Sequence, residues 1–259
     1  MAKPRVLILR APGTNCDEET AFAFQCAGAE AELLHVNRLL ANPSATRQFQ
    51  ILCIPGGFSY GDDIAAGRIF GNQFRHHFAA SLHEFKTAGK LILGICNGFQ
   101  VLMKSGILLG DGTPDPPATL TWNDSGKFED RWVHLATDTA QCIFLRDIDS
   151  LYLPVAHAEG KFVVGNDASR QKLATAGQLA LRYTGLAGGV NGEVGYPQNP
   201  NGSMGNVAGV CDESGQIFGL MPHPERYIDR THHPRWTRGE GADRGDGLAI
   251  FENAVRYYE

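Results

Sequence analysis

The run Gly94-Ile95-Cys96-Asn97-Gly98-Phe99-Gln100 sets a cysteine between two glycines, where a short apolar segment, Leu91 to Ile95, gives way to helix-forming residues. A strand that turns sharply into a helix around a central nucleophile has this layout, with sulfur here in place of a serine oxygen. Such a turn strains the backbone of the nucleophile, and small residues two before and two after it let neighbouring chain pass closely. Cys96 is thereby expected to stand proud of the sheet. At a helix N-terminus, unpaired amides and the macrodipole favour the thiolate, the reactive form of the side chain. Six cysteines occur, at 16, 26, 53, 96, 142 and 211, and Cys96 alone has this activating context. Cys26 in an amphipathic helix, and Cys53 and Cys211 in strands, are expected to be small buried hydrophobes.

A thiolate nucleophile needs a base. Among nine histidines, His223 sits where the chain fixes its geometry, in Met221-Pro222-His223-Pro224-Glu225. Each proline pushes the residue before it out of the helical region. On extended chain, residues two apart point to the same side, which predicts the Glu225 carboxylate beside the His223 ring. Cys96, His223 and Glu225 then have the nucleophile, base and orienter logic of a triad. Taken alone, the same pentapeptide could be a rigid loop with a surface His–Glu pair. Attack on an amide creates an oxyanion that needs preorganised donors. Pro55-Gly56-Gly57-Phe58 ends a strand with bare amides, so the hole is assigned to the backbones of Gly57 and Asn97; a simple chain reversal is the other use of paired glycines.

The elements that must position these groups show in the apolar pattern. Val6 to Leu9 is followed by a helical stretch from Asp17 to Ala27, then Ala31 to Val36, Ile51 to Ile54, helix from about Gly71 to Ala88, and Leu91 to Ile95. Apolar strand runs alternating with helices predict a mostly parallel α/β sheet covered by helices on both faces. The segment from Gly106 to Asp130, centred on Asp115-Pro116-Pro117, has loop chemistry. The second half is richer in strand, at 132–136, 152–156, 179–183, 207–211 and 217–221, with a helical insert near 169–176. A closing helix places Leu248, Phe251, Val255 and Tyr258 on one face. Strand ends of open α/β sheets are where sites collect, and both Cys96 and His223 follow strand runs.

With 259 residues, 43% apolar and 20% charged, the chain is expected to form one domain, 1–259, around a single core. A net charge of −5 with scattered Lys and Arg predicts no nucleic-acid partner. The first apolar run is too short for a signal-peptide core or a membrane span, so no membrane association and a cytoplasmic location are expected. The cysteine spacing suggests neither a zinc site nor a disulfide scaffold.

On these residues the chain resembles the class I, triad-type glutamine amidotransferases, whose pattern is a Pro-Gly-Gly turn, a Gly-x-Cys-x-Gly-x-Gln elbow and a late His-Pro-Glu. Five runs, Gly56 to Asp62, Cys96-Asn97-Gly98, His157-Ala158-Glu159-Gly160, Asn199 to Ser203 and Met221 to Arg226, are similar to the glutaminases of phosphoribosylformylglycinamidine synthases. The resemblance implies a flavodoxin-like, open sheet with extra strands in the second half. It implies hydrolysis of L-glutamine to glutamate and ammonia through a glutamyl thioester. The ammonia would pass to a synthetase subunit that converts formylglycinamide ribonucleotide to formylglycinamidine ribonucleotide with ATP, in purine synthesis. Gln100 is implied as a substrate contact, and His157 and Glu159 as part of a loop holding the glutamine α-groups. No metal or other cofactor is implied on this chain; ATP and magnesium would sit on the synthetase. The implied partners are that synthetase and a small accessory subunit, with this chain as the stand-alone glutaminase.

The segment from Tyr227 to Asp246 reads as a solvated loop or, with 123–132, as a contact to the synthetase. Rival readings are a γ-glutamyl hydrolase or cysteine peptidase on the same scaffold, against which Gln100 and the Phe58 to Asp62 run argue, and a non-enzymatic regulatory subunit, which would have lost a triad residue. A dinucleotide-binding protein would need a Gly-x-Gly-x-x-Gly after the first strand, and none is there.

Overall fold

Aliphatic runs with almost no exposed surface make the centre of the molecule. Val6 to Leu9, Ile51 to Ile54, Leu91 to Ile95 and Ile217 to Leu220 are buried along their whole length. Strands buried on both faces need no polar alternation, because helices cover each side. In the computed structural model, which describes residues 2–110, 116–139, 141–186, 188–190 and 192–259, these runs are β1 (Arg5–Arg10), β3 (Ile51–Ile54), β4 (Leu91–Ile95) and β11 (Ile217–Leu220). Between them lie α1 (Asp17–Cys26), β2 (Glu30–His35), α2 (Val36–Ala41), α3 (Arg68–Gln73), α4 (Ala79–Thr87) and α5 (Asn97–Ser105). The second half adds β5 (Ala118–Thr121), β6 (Glu129–Thr137), β7 (Ser150–His157), β8 (Lys161–Val164), α6 (Asp167–Thr175), β9 (Leu181–Thr184), β10 (Val207–Cys211) and α7 (Leu248–Arg256).

Nine strands form one sheet in the order β2-β1-β3-β4-β11-β10-β9-β6-β7. From β2 to β11 neighbours run parallel, and from β11 to β7 they run antiparallel. The predicted α/β sheet and its extra second-half strands are both present. Helix α1 packs on α7, with Phe24 against Phe251 edge to face at 4.9 Å, and α3 packs on α5.

Several expectations change in detail. The helical stretch after Gly71 is α3, a π turn over Phe74–Phe78, and α4. β5 falls inside the segment expected to be loop, and β5 and β8 form an unforeseen separate two-stranded antiparallel sheet. Asp115 lies outside the described residues. Tyr258 lies past the end of α7, where its hydroxyl accepts from the Leu91 amide at 3.1 Å and donates to the Gln50 carbonyl at 2.7 Å. Cys26, expected to be buried, is exposed as the last residue of α1.

The central register decides the site. Gly94 lies opposite Ile54 on one side and Gly219 on the other, so the C-terminal ends of β3, β4 and β11 lie side by side. Gly56-Gly57, Cys96 and Pro222 to Glu225 therefore emerge together from one edge.

Candidate active site

Cys96 caps the N-terminus of α5 with φ 50° and ψ −103°, outside the regions an L-residue prefers. Strain of this kind costs about 1–3 kcal/mol and persists only where the surroundings impose it. Here the surroundings are the glycines foreseen in the sequence. A Cβ on Gly98 would lie 1.8 Å from the Ile54 carbonyl oxygen, and one on Gly94 would lie 2.7 Å from the Gly98 oxygen. The Cys96 amide donates to the Leu220 carbonyl at 2.8 Å, tying the turn to β11. The side chain does not stand proud: Cys96 is 5% exposed, and its thiol faces the Ala156 carbonyl at 3.7 Å. The carbonyl it faces belongs to β7, in the antiparallel half of the sheet.

His223 is extended (φ −104°, ψ 90°), as its following proline predicts, and its amide donates to the Pro154 carbonyl at 2.8 Å. Its Nδ1 meets Glu225 Oε1 at 2.6 Å. The pairing is as expected but its cause is different. Pro224–Arg226 is a 3₁₀ turn rather than extended chain, and the turn curls Glu225 back under the ring. Burial alone would push the ring's pKa down, but the Glu225 carboxylate and then Cys96 hold it well above the ordinary value. His223 Nε2 and Glu225 Oε2 are buried and have no partner among the described residues.

Gly57 has φ 139°, and a Cβ there would strike the Asn15 amide at 2.7 Å. The backbone amides of Gly57 and Asn97 donate to no protein group among the described residues. The loop carrying Gly57 is tied to the loop after β1, where the Phe58 amide donates to the Gly13 carbonyl at 2.9 Å, and from the other side by the Asn97 side chain, whose role sequence reasoning missed. Its Oδ1 accepts from the Ser59 amide at 3.1 Å, and its Nδ2 donates to Asp62 Oδ1 at 3.0 Å and Gln100 Oε1 at 2.9 Å. Asp62, half-buried near Glu159, has its pKa pushed up to about 6, chiefly by burial.

The three residues carried over as substrate contacts lie beside this core. Gln100 donates to the Glu159 carbonyl at 2.6 Å, and Glu159 Oε1 accepts from the Ala66 amide at 3.1 Å, so these side chains bind each other's surroundings. His157 is different. Asn123 Nδ2 donates to the His157 and Lys127 carbonyls, and its Oδ1 accepts from the Gly160 amide, so that oxygen also faces His157 Nδ1 at 3.1 Å as an acceptor. The proton therefore sits on Nδ1, leaving the buried, unpartnered Nε2 as a lone-pair acceptor. Burial, with His223 nearby, lowers the ring's pKa to about 3 and keeps it neutral.

A second thiol adjoins the His–Glu pair. Cys16, Glu225 and His223 have ligand-capable atoms within 4.8 Å of one another, the one such cluster among the described residues. The Arg226 guanidinium donates into the Cys16 sulfur at 3.1 Å, which disfavours a cation there. Cys16 gave no sequence signal; Arg226 ends the run Met221 to Arg226 and Asn123 opens the segment 123–132, but the roles of these side chains at the site were not foreseen.

No helix among the described residues is long and apolar enough to cross a membrane. A family model for the CobB/CobQ-like glutamine amidotransferase domain matches residues 3–258. Subunit PurQ of phosphoribosylformylglycinamidine synthase from Dehalococcoides mccartyi is 49% identical, covering 99% of this chain and 98% of the relative. The subunit of the same name from Treponema denticola is 43% identical over 87% and 89%. Among solved structures, a chain of PurLQS from Thermotoga maritima superposes with a TM-score of 0.75 at 30% identity, covering all of both chains. With a nucleophile elbow, a buried His–Glu pair and a match along nearly its whole length, the chain belongs to the family of CobB/CobQ-like glutamine amidotransferases.

Proposed function

We propose that this chain is the glutaminase subunit of a phosphoribosylformylglycinamidine synthase, with Cys96, His223 and Glu225 as its catalytic triad. The observation that carries the chemistry is the 2.6 Å bond from the buried His223 to Glu225, on a ring that also faces the helix-capping Cys96. The family model supports glutamine as the substrate, and the names of the relatives support the synthase.

The Cys96 thiolate attacks the carboxamide carbon of L-glutamine, and the amides of Gly57 and Asn97 receive the developing oxyanion. Removing one such donor typically costs about a hundred- to a thousandfold in rate, so the rigidity of the Gly57 loop matters. His223, oriented by Glu225 at Nδ1, gives the Nε2 proton that it took from the Cys96 thiol to the departing ammonia. It then takes a proton from the water that hydrolyses the glutamyl thioester. The acceptor Nε2 of His157 suits a donor on the substrate, whereas Gln100 and Glu159 act by shaping the pocket wall. No metal or nucleotide enters these steps.

Ammonia in neutral water is mostly protonated and unreactive, so it must reach its acceptor without meeting bulk solvent. A nucleophile 5% exposed and a histidine 2% exposed fit that need. The receiving partner is a synthetase subunit, together with the small subunit of the complex, in the cytoplasm. The test is glutamate release from glutamine by the chain alone and reconstituted with such a synthetase. Release that disappears in Cys96→Ala is expected; no release from the unaltered chain in either setting would overturn the reading.

A further inference from the structure

Cys16 is 1% exposed and takes no part in the chemistry above. It caps the N-terminus of α1, and its amide donates to the Gly56 carbonyl at 3.3 Å, next to Gly57. A Cβ placed on Gly56 would lie 2.8 Å from His223 Cε1 and 3.1 Å from the Cys16 sulfur. Ring, sulfur and glycine therefore meet at one point with no free space between them. The sulfur is held in turn: its proton faces Asn15 Oδ1 at 3.3 Å, and it accepts from Arg226 Nη2 at 3.1 Å. The same guanidinium donates through Nε to Glu19 Oε1 at 3.1 Å, in the first turn of α1.

This arrangement solves a problem created by the sequence itself. Arg226 directly follows Glu225, and a free guanidinium there would compete with His223 for the carboxylate, since bidentate Arg–carboxylate pairs are among the strongest polar contacts. Glu19 and Cys16 occupy the Nε and Nη2 donors, and no Arg226–Glu225 ion pair forms among the described residues. Burial pushes the Cys16 thiol up, so it stays neutral and adds no second anion beside Glu225.

We propose that Cys16 and Arg226 are positioning residues for the general base: Cys16 backs the His223 ring against Gly56, and Arg226, anchored on Glu19, locks both the sulfur and the turn that carries Glu225. The proposal rests on the glutaminase reading and deepens it. Cys16 touches the His223 ring, but neither side chain takes part in a bond made or broken.

The test uses the reconstituted complex and follows glutamate release over pH for the unaltered chain, Cys16→Ala, Cys16→Ser, Arg226→Lys and Cys96→Ala. Displacing a catalytic group by even 1 Å costs about a hundredfold, so Cys16→Ala is expected to lose roughly ten- to a hundredfold in kcat with KM little changed. The alkaline limb of its profile should move to lower pH, because the sulfur contact helps hold the proton on His223. Cys16→Ser keeps an acceptor for Arg226 and should recover most of the rate. Arg226→Lys, which has no planar fork to hold Glu19 and Cys16 together, should show the same defect as Cys16→Ala. A purely structural role would lower Tm while leaving kcat and the pH profile unchanged in Cys16→Ala and Arg226→Lys, and that result overturns the proposal. If Cys16→Ala does not fold, Arg226→Lys decides by the same criterion. Loss of activity in the unaltered chain would instead strike at the glutaminase reading itself.

Discussion

Asn97→Ala isolates the side-chain clamp from the backbone amide proposed for the oxyanion hole, because alanine keeps that amide. Three hydrogen bonds disappear, to Ser59, Asp62 and Gln100. The Ser59 amide is left buried and unpaired, which costs about 1–3 kcal/mol, and each of the other two bonds is worth about 1 kcal/mol at most in net terms. A total near 2–4 kcal/mol corresponds to a Tm lower by roughly 5–15 °C for a chain of this size. Freed of its tie, the Gly57 loop no longer presents its amide rigidly, so kcat for glutamate release should fall by about ten- to a hundredfold. Asn97→Asp sharpens the test. Its carboxylate still accepts from Ser59 but faces Asp62, whose pKa is about 6. The Asn97 amide helps hold that value down, so the exchange raises it further: at high pH two carboxylates repel, and as pH falls Asp62 is protonated and donates. Thermal unfolding of Asn97→Asp at pH 7.5 and 5.5 should therefore show a smaller deficit, relative to the unaltered chain, at the lower pH. An Asn97→Ala protein with unaltered Tm and kcat, or an Asn97→Asp deficit equal at both pH values, would refute the clamp.

Three further outcomes follow from the same geometry. Gly98→Ala puts a Cβ 1.8 Å from the Ile54 carbonyl oxygen, so the strand end leading to Gly56 and Gly57 must shift by about 1 Å, with a loss near a hundredfold in kcat; unchanged turnover in steady-state kinetics would contradict it. Asp62 has its pKa raised from 3.8 to about 6 in the folded chain, so its cost to stability is absent below pH 3.8 and grows as pH rises through that window. Asp62→Asn should then raise stability by about 1 kcal/mol above pH 6, once screening of this half-buried group is allowed for, and not near pH 4; a pH-independent difference in thermal unfolding would count against it. Trp236 is 45% exposed and Arg235 pairs with Glu240 at 2.9 Å, in the segment that could meet the synthetase. Alanine at both should weaken co-purification with that subunit at unchanged Tm; undiminished co-purification would leave the segment as solvated surface.

What was legible in the sequence was what the chain decides locally. The central strands announce themselves because burial on both faces makes them unbroken apolar runs, and the elbow shows because glycines two either side of Cys96 are demanded by backbone contacts within 3 Å. β5 and β8 gave no such signal: each has four residues, with every second one partly or fully exposed, and β5 follows a Pro- and Gly-rich stretch. Cys26 was misread because α1 buries small and polar residues, Asp17, Thr20 and Ala21 among them, so apolar spacing did not mark its inner face. The His223–Glu225 bond lies two residues apart and was found even though the 3₁₀ turn, not extended chain, makes it. The groups that hold Arg226 beside this pair are 207 and 210 positions from it, at Glu19 and Cys16. They reach it only because β1, β3, β4 and β11 are ordered so that the loop after β1 abuts the turn after β11. Strand order arises from long-range packing, so a sequence can name the reacting groups while staying silent on what aims them.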